Sequence, residues 1–254
     1  MLTIERRNEI KTLLFEKQSV TVSSLAGIYH VSFETIRRDF DALEKEGFLT
    51  RTHGGAVLRK RVKREVEYRV LSNLFSENKQ RIAAEASGFI TNGDCIFIDH
   101  STTAYRLIHE LNNKKLTVMT NSIKVLSDLS DYQNSILVST GGILNKDLYC
   151  FLGSTAEKTV RNFHMDKAFL SCRAIDMHQG LSDNFEQEAD MRKTIIENAD
   201  SVYLLMDHTK FDKVTFVKTC SYHHIKAIIT DQALSEAWKE SFESKGIEYY
   251  EVLD

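Results

Sequence analysis

The chain has 254 residues, enough for one large or two ordinary domains, each able to bury a core. At 42% hydrophobic and 27% charged residues its composition is ordinary for a globular protein. No apolar run approaches the roughly 20 residues that a membrane-spanning helix needs.

The net charge of −3 is unevenly divided. Residues 1–69 carry fourteen Lys and Arg against ten Asp and Glu, whereas residues 70–254 carry nineteen against twenty-six. A basic first part on an acidic body suits nucleic-acid binding by the first part alone. The N-terminal MLTIERRNEI lacks the apolar core of a signal peptide, so a cytoplasmic protein without membrane attachment is expected. Cys95, Cys150, Cys172 and Cys220 form no CxxC pair, and the nine histidines have no ligand spacing. That pattern argues against disulfides, a metal site or a metal cofactor.

In chain order, residues 4–17 form a first helix with Ile10, Leu13 and Leu14 as its apolar stripe. Residues 21–29 form a second, capped by Thr21 or Ser23, and His30-Val31 is the turn. A third helix runs over residues 33–46, with Ser32 as its cap and Gly47 as its stop. Leu25, Ile28, Val31, Ile36, Phe40 and Leu43 supply the core. The opposite face of the third helix carries Phe33, Glu34, Arg37, Arg38 and Asp41. Residues 48–58 alternate weakly around Gly54-Gly55, as the strands and tip of a wing. Two helices that hold a third with an arginine-bearing outer face make a helix-turn-helix reader of double-stranded DNA.

In that geometry Ser32, Phe33, Thr35 and Arg37 are the candidates for base contact. Arg38 and the helix start at Thr21 face phosphates, and Arg51 and His53 on the wing reach the backbone or minor groove. Glu34 lies four residues before Arg38, the spacing of an ordinary helix-face ion pair, which is weak and exchangeable and does not exclude DNA contact. Residues 59–76 open with a basic run and are expected to be a linker between a reader over residues 1–58 and a second domain over residues 77–254.

The second domain begins with an amphipathic helix over residues 77–89. Short apolar strands follow at residues 95–98, 116–120, 135–139, 167–171, 201–206, 225–230 and 247–252. Helices are expected after the 100–103 loop to about residue 111, and over residues 153–162, 186–198 and 235–245. This alternation gives an α/β fold with a mainly parallel sheet covered on both faces. Ligands bind beyond the carboxyl ends of such strands. Those ends carry Asp99 with Ser101, Thr102 and Thr103, then Thr120 with Asn121, then Gly141-Gly142, then Asp207 with Lys210. Hydroxyls, exposed amides, close-approach glycines and a lysine together suit a phosphate-bearing ligand. The acidic Glu186, Glu188 and Asp190 complement a helix N-terminus instead.

The string VSFETIRRDFDALEKEGFLTRTHGGA, with Thr35-Ile36-Arg37-Arg38-Asp39 and His53-Gly54-Gly55, resembles the signature of the DeoR family of bacterial transcription regulators. The resemblance runs from about Leu2 to the C-terminus. It implies a winged helix-turn-helix joined to a sugar-phosphate sensor similar in fold to ribose-phosphate isomerases and glucosamine-phosphate deaminases. Where that family has Asp-x-Gly-Thr-Thr, Thr-Asn-Ser, Gly-Gly and Asp-x-Ser/Thr-Lys-Phe, this chain has Asp99-His100-Ser101-Thr102-Thr103, Thr120-Asn121-Ser122, Gly141-Gly142 and Asp207-His208-Thr209-Lys210-Phe211. Ser101 replaces the usual glycine; its Cβ would block close approach, or its hydroxyl would replace the missing contact. The expected function is a repressor of a carbohydrate-catabolism operon, a homodimer or homotetramer whose operator affinity a phosphorylated sugar controls. No cofactor or catalytic residue is expected. The rival is a sugar-phosphate isomerase or deaminase-like enzyme with an accessory DNA-binding domain, using Asp99, Asp183 or Glu188 with Lys210.

Overall fold

The computed structural model describes residues 1–59, 64–111 and 114–253, so part of the expected linker, residues 60–63, lies outside the described residues. The chain forms two compact units, Met1–Phe75 and Ser76–Asp254.

The first unit contains α1 (Thr3–Lys17), β1 (Ser19–Thr21), α2 (Val22–Tyr29), α3 (Phe33–Lys45), β2 (Leu49–Thr52), β3 (Gly55–Leu58) and α4 (Arg64–Asn73). Capping explains the sharp starts of α2 and α3. The Thr21 hydroxyl accepts the Ser24 amide and the Ser32 hydroxyl accepts the Thr35 amide, each at 3.2 Å. His30, with φ of 52°, ends α2 in the left-handed region, and Gly47 does the same after α3. Ile10, Leu14, Leu25, Ile36, Phe40, Leu43 and Phe48 pack into one core. Asp39 is buried beside them because two arginines of α1 hold it: Arg6 at 2.6 Å and Arg7 at 2.9 Å.

Three sequence expectations change in this unit. Ile28 is 53% exposed rather than core, since α2 buries Val22, Leu25 and Ala26 on a face that turns away from it. The wing is a three-stranded antiparallel sheet, order β1-β3-β2, because residues 19–21 join the hairpin. Gly55 permits that pairing: a Cβ there would lie 2.3 Å from the Val20 carbonyl oxygen. The segment expected as a linker contains α4, whose Val70, followed by Leu74, packs into the core of this unit. Its basic opening obscured that apolar pair four residues apart.

The second unit runs α5 (Ser76–Ser87), β4 (Cys95–Ile98), β5 (Leu116–Thr120), α6 (Ile123–Leu129), β6 (Ser135–Ser139), β7 (Ile143–Asn145), β8 (Cys150–Leu152), α7 (Ser154–Arg161), β9 (Met165–Leu170), β10 (Ala174–Asp176), β11 (Gly180–Asp183), α8 (Glu186–Glu197), β12 (Ala199–Met206), β13 (Val217–Cys220), β14 (Ile225–Thr230), α9 (Glu236–Ser244) and β15 (Glu248–Glu251). Seven strands pair in parallel in the order β15-β14-β12-β9-β4-β5-β6. Strand alternation divides the core between the two faces: Ile96 and Ile98 pack on one side with Val118 and Leu205, Phe97 on the other with Leu170 and Met206.

Two features escaped the sequence pattern. The β7–β8 hairpin and the small antiparallel sheet β10-β11-β13 are built from three- and four-residue strands too short to show a period. The helix expected after residue 103 is a 3-10 turn, Ala104–Glu110. For placing a site, the decisive property is strand order. From β4 the chain steps outward to β5 and β6, then returns to β9 and steps outward the other way. The order reverses between β4 and β9, which opens a crevice at their carboxyl ends.

Candidate functional site

On the first unit, the outer face of α3 is exposed and charged. Glu34 lies 3.9 Å from Arg37 and 3.7 Å from Arg38, the expected helix-face pairing, with all three side chains more than half exposed. Ser32 and Thr35 are engaged with one another: their hydroxyl oxygens are 2.9 Å apart, in addition to the cap. Phe33 stands exposed on the first turn. Arg51 on β2 pairs with Asp41, and its amide donates to Glu44 Oε1 at 2.9 Å, tying the wing to α3. His53 and Gly54 form the exposed wing tip. Thr21, Ser24, Ile28 and the wing tip line one cavity of about 400 Å³. The helix start and wing named from sequence therefore converge, and Arg37, Arg38 and Phe33 share the exposed side of α3.

On the second unit, the loops after β4, β5, β6, β9 and β12 meet at one edge of the sheet. The loop after β4 is organised by Asp99. Its Oδ1 accepts the Ser101 amide at 2.9 Å; its Oδ2 accepts the Ser171 amide across the crevice at 3.2 Å and faces Arg192 at 3.5 Å. Arg192 also pairs with Asp183, which accepts the Thr219 hydroxyl at 2.7 Å and the Arg173 amide at 3.2 Å. Burial alone would lower the Arg192 pKa, but Asp183 and Asp99 raise it, so the guanidinium stays charged. One buried arginine thus clamps two buried carboxylates at the switch point.

Ser101 has an ordinary negative φ, and its hydroxyl accepts the Ala104 amide at 3.1 Å. Glycine is not needed here; serine acts as the cap of the following turn. The Thr120 hydroxyl donates to the Ile98 carbonyl at 2.6 Å and accepts the Ser122 amide at 3.0 Å, which sews the ends of β4 and β5 together. Asn121 is fully buried, its Nδ2 3.2 Å from His100 Nδ1 and 3.3 Å from the Phe151 carbonyl, while its Oδ1 has no hydrogen-bond partner among the described residues. Burial pushes the His100 pKa down, so its imidazole is neutral near pH 7.

Gly141 and Gly142 both have positive φ, 58° and 105°. At Gly142 the space is also closed: a Cβ would meet the Ala156 Cβ at 2.8 Å and the Leu152 carbonyl at 2.9 Å. At Gly141 a Cβ would meet no atom within 4 Å, and its amide donates to the Ser139 hydroxyl at 3.1 Å. After β12, Asp207 caps the turn to Lys210 by accepting the Thr209 amide at 3.1 Å. Burial raises the Asp207 pKa, but Lys210 and Lys79 outweigh it and hold the carboxyl below its ordinary value.

Lys79 was not singled out by the sequence reading. It is 1% exposed, its Nζ donates to Thr102 Oγ1 at 3.2 Å, and burial pulls its pKa to about 7 despite the pull of Asp207. A signal for it existed: Lys79, Ile82, Ala83 and Ala86 are all buried at i, i+3, i+4, i+7 spacing, which puts a lysine on the apolar stripe of α5. Arg192 follows the same logic on α8, in line with Ala189, Ile195 and Ile196. Long cations placed on a buried stripe serve a partner or a ligand, and here the edge holds both kinds: Arg192 between carboxylates, Lys79 and Lys210 beside Asp207 and the Thr102 hydroxyl. The arrangement can receive an anion next to hydroxyl-bearing carbons.

No helix among the described residues is long and apolar enough to cross a membrane, and they hold no cluster of three metal-ligating side chains. Residues 6–62 match the DeoR-like helix-turn-helix domain and residues 75–232 the DeoR C-terminal sensor domain. The chain is 38% identical to the HTH-type transcriptional regulator YulB of Bacillus subtilis over 249 residues, covering 97% of this chain and 96% of the relative. It is 32% identical to the lactose phosphotransferase system repressor of Lactococcus lactis, covering 93% and 94%. Among solved structures it is similar to ribose 5-phosphate isomerase A of Methanocaldococcus jannaschii, 18% identical over 54% of each chain at a TM-score of 0.40. With both domain matches in chain order and relatives alike from end to end, the protein belongs to the DeoR family of helix-turn-helix transcriptional regulators.

Proposed function

We propose that the protein is a repressor of a sugar-catabolism operon whose affinity for operator DNA is set by a phosphorylated sugar held at the carboxyl edge of the seven-stranded sheet. The observation that carries the effector half is the pair of lysines, Lys79 and Lys210, buried at that edge beside hydroxyl-bearing loops. Lys79, Lys210, Thr102 and Thr103 would hold the phosphate, Gly141 would leave it room, and the Asn121 Oδ1, buried without a hydrogen-bond partner among the described residues, would accept a sugar hydroxyl. Asp99, Ser101, Thr120 and Gly142 would shape the loops. The name of the Lactococcus lactis relative, a repressor of a phosphotransferase system, supports the repressor and sugar assignments.

The DNA half rests on Thr21, Ser32, Phe33, Thr35, Arg37, Arg38, Arg51 and His53, arranged on one exposed helix, its neighbour's start and a wing. Such a reader works on paired half-sites, so the protein acts as a homodimer or homotetramer, in the cytoplasm where its operator lies. Sensing without catalysis fits the carboxylates: Asp99 and Asp183 are both held by Arg192, and a base so tied is poorly placed to take a substrate proton.

The test is a titration of the purified full-length protein against duplex DNA from its own upstream region, alone and with a panel of sugar phosphates. One ester should shift the affinity about tenfold, a coupling of about 1.4 kcal/mol. Specific DNA binding indifferent to every ester would remove the effector assignment and leave the DNA reader.

A further inference from the structure

We infer that Phe33 makes the operator half-site require a thymine, by packing its ring on that base's C5 methyl group in the major groove. The inference rests on the DNA-reader assignment above and adds a base identity to it.

Phe33 is the first residue of α3 and is 54% exposed. It stands outside the apolar cluster that holds the unit together, to which α3 contributes Ile36, Phe40 and Leu43. The polar groups around it have other engagements. Ser32 and Thr35 cap the helix and bond each other, and Glu34 sits between Arg37 and Arg38. At the point where a recognition helix enters the groove, the side chain offered is therefore a phenyl ring. Base edges in the major groove carry hydrogen-bond donors and acceptors, and thymine alone adds a methyl group. A ring with no donor or acceptor would leave the polar edge of any other base desolvated and unpaired. Against thymine it instead buries one methyl group, worth about a fourfold change in affinity. Phe33 and Arg37 are one turn apart on α3, so the thymine lies next to the base or phosphate that Arg37 meets.

The experiment uses the full-length protein and a short duplex that it selects from a randomised pool. Each thymine of the selected duplex is replaced in turn by uracil, which keeps the pairing and removes only the methyl group. Wild-type protein should lose about fourfold at one thymine position per half-site. Phe33→Ala should bind more weakly and be indifferent to that replacement, and Phe33→Leu should keep part of the penalty. Equal binding of wild type to every uracil duplex, or a Phe33→Ala variant that keeps the full penalty, overturns the inference while the DNA reader stands. Failure to select any duplex overturns the DNA reader and this inference with it.

Discussion

Lys79→Met should make the second unit more stable and, if the proposed function holds, abolish its response to a phosphorylated sugar. The lysine is 1% exposed, and burial holds it at a pKa of about 7 against an ordinary 10.5. At about 1.4 kcal/mol per pH unit, that difference bounds the cost of the buried ammonium at about 5 kcal/mol near neutral pH. The loss of the Thr102 hydrogen bond, and of one of the two cations beside Asp207, offsets part of the gain. Methionine matches the stem's length and flexibility, so a net stabilisation of about 2 kcal/mol is expected near pH 7. Its pH dependence has a definite sign. Between the folded value of about 7 and the ordinary 10.5, the unfolded chain carries the proton and the folded one does not. Wild-type stability therefore rises with pH in that window, and the advantage of Lys79→Met should shrink by about 2 kcal/mol between about pH 7 and pH 9. Urea unfolding followed by tryptophan fluorescence reads this directly, because the single tryptophan, Trp238, is buried in the second unit. A variant destabilised by more than about 1 kcal/mol near pH 7, or an advantage that does not narrow with pH, would refute the reasoning.

Gly142→Ala should destabilise the second unit by about 2–4 kcal/mol, because a left-handed φ of 105° and a 2.8 Å clash with Ala156 act together. Gly141→Ala, with open space around it, should cost only about 1 kcal/mol, and a comparison of urea midpoints separates the two. Asp39→Ala leaves Arg6 and Arg7 without their buried carboxylate and should cost the first unit about 3–5 kcal/mol. The readout is loss of DNA binding at an unchanged Trp238 transition; an altered Trp238 transition would count against an effect confined to the first unit. Arg37→Ala should cost about 1–3 kcal/mol on a selected duplex and relax one position, whereas Arg38→Ala should weaken all duplexes alike and reduce the salt slope by about 1. Identical profiles for the two variants would erase the distinction between base and phosphate contact.

The helix-turn-helix was legible because its signals are local: side-chain caps at Thr21 and Ser32, an i, i+4, i+7 stripe at Ile36, Phe40 and Leu43, and a stop at Gly47. The parallel sheet was legible because each strand is a short apolar run followed by a polar loop. What stayed hidden depends on residues far apart in sequence. The strand at residues 19–21 exists only because Gly55 lets another strand approach it. Asp39 looks like part of a DNA-binding motif, yet its partners are 32 and 33 residues away on α1. Asp99 looks like a ligand contact, yet its oxygens serve Ser101, Ser171 and Arg192, the last 93 residues distant. A motif gives the residue type at a position; whether the side chain points to solvent or to another segment is settled by folding.

That distinction sorts the sensor edge by role. A residue with every polar atom engaged inside the chain can hold a loop still but has little left for a ligand. Asp99 and Asp183 form such a group, and Arg192 gives its two terminal nitrogens to them while its Nε has no hydrogen-bond partner among the described residues; these three buried charges fix the loop after β4, the end of β11 and the middle of α8 relative to one another. Lys79 differs in its charge balance rather than in its hydrogen bonding: burial, Lys210 and Arg106 oppose its charge, and an arriving dianion would relieve that opposition. Binding a phosphate should therefore raise the Lys79 pKa and take up a proton near neutral pH, with the Arg192 clamp keeping the loops in place while this happens.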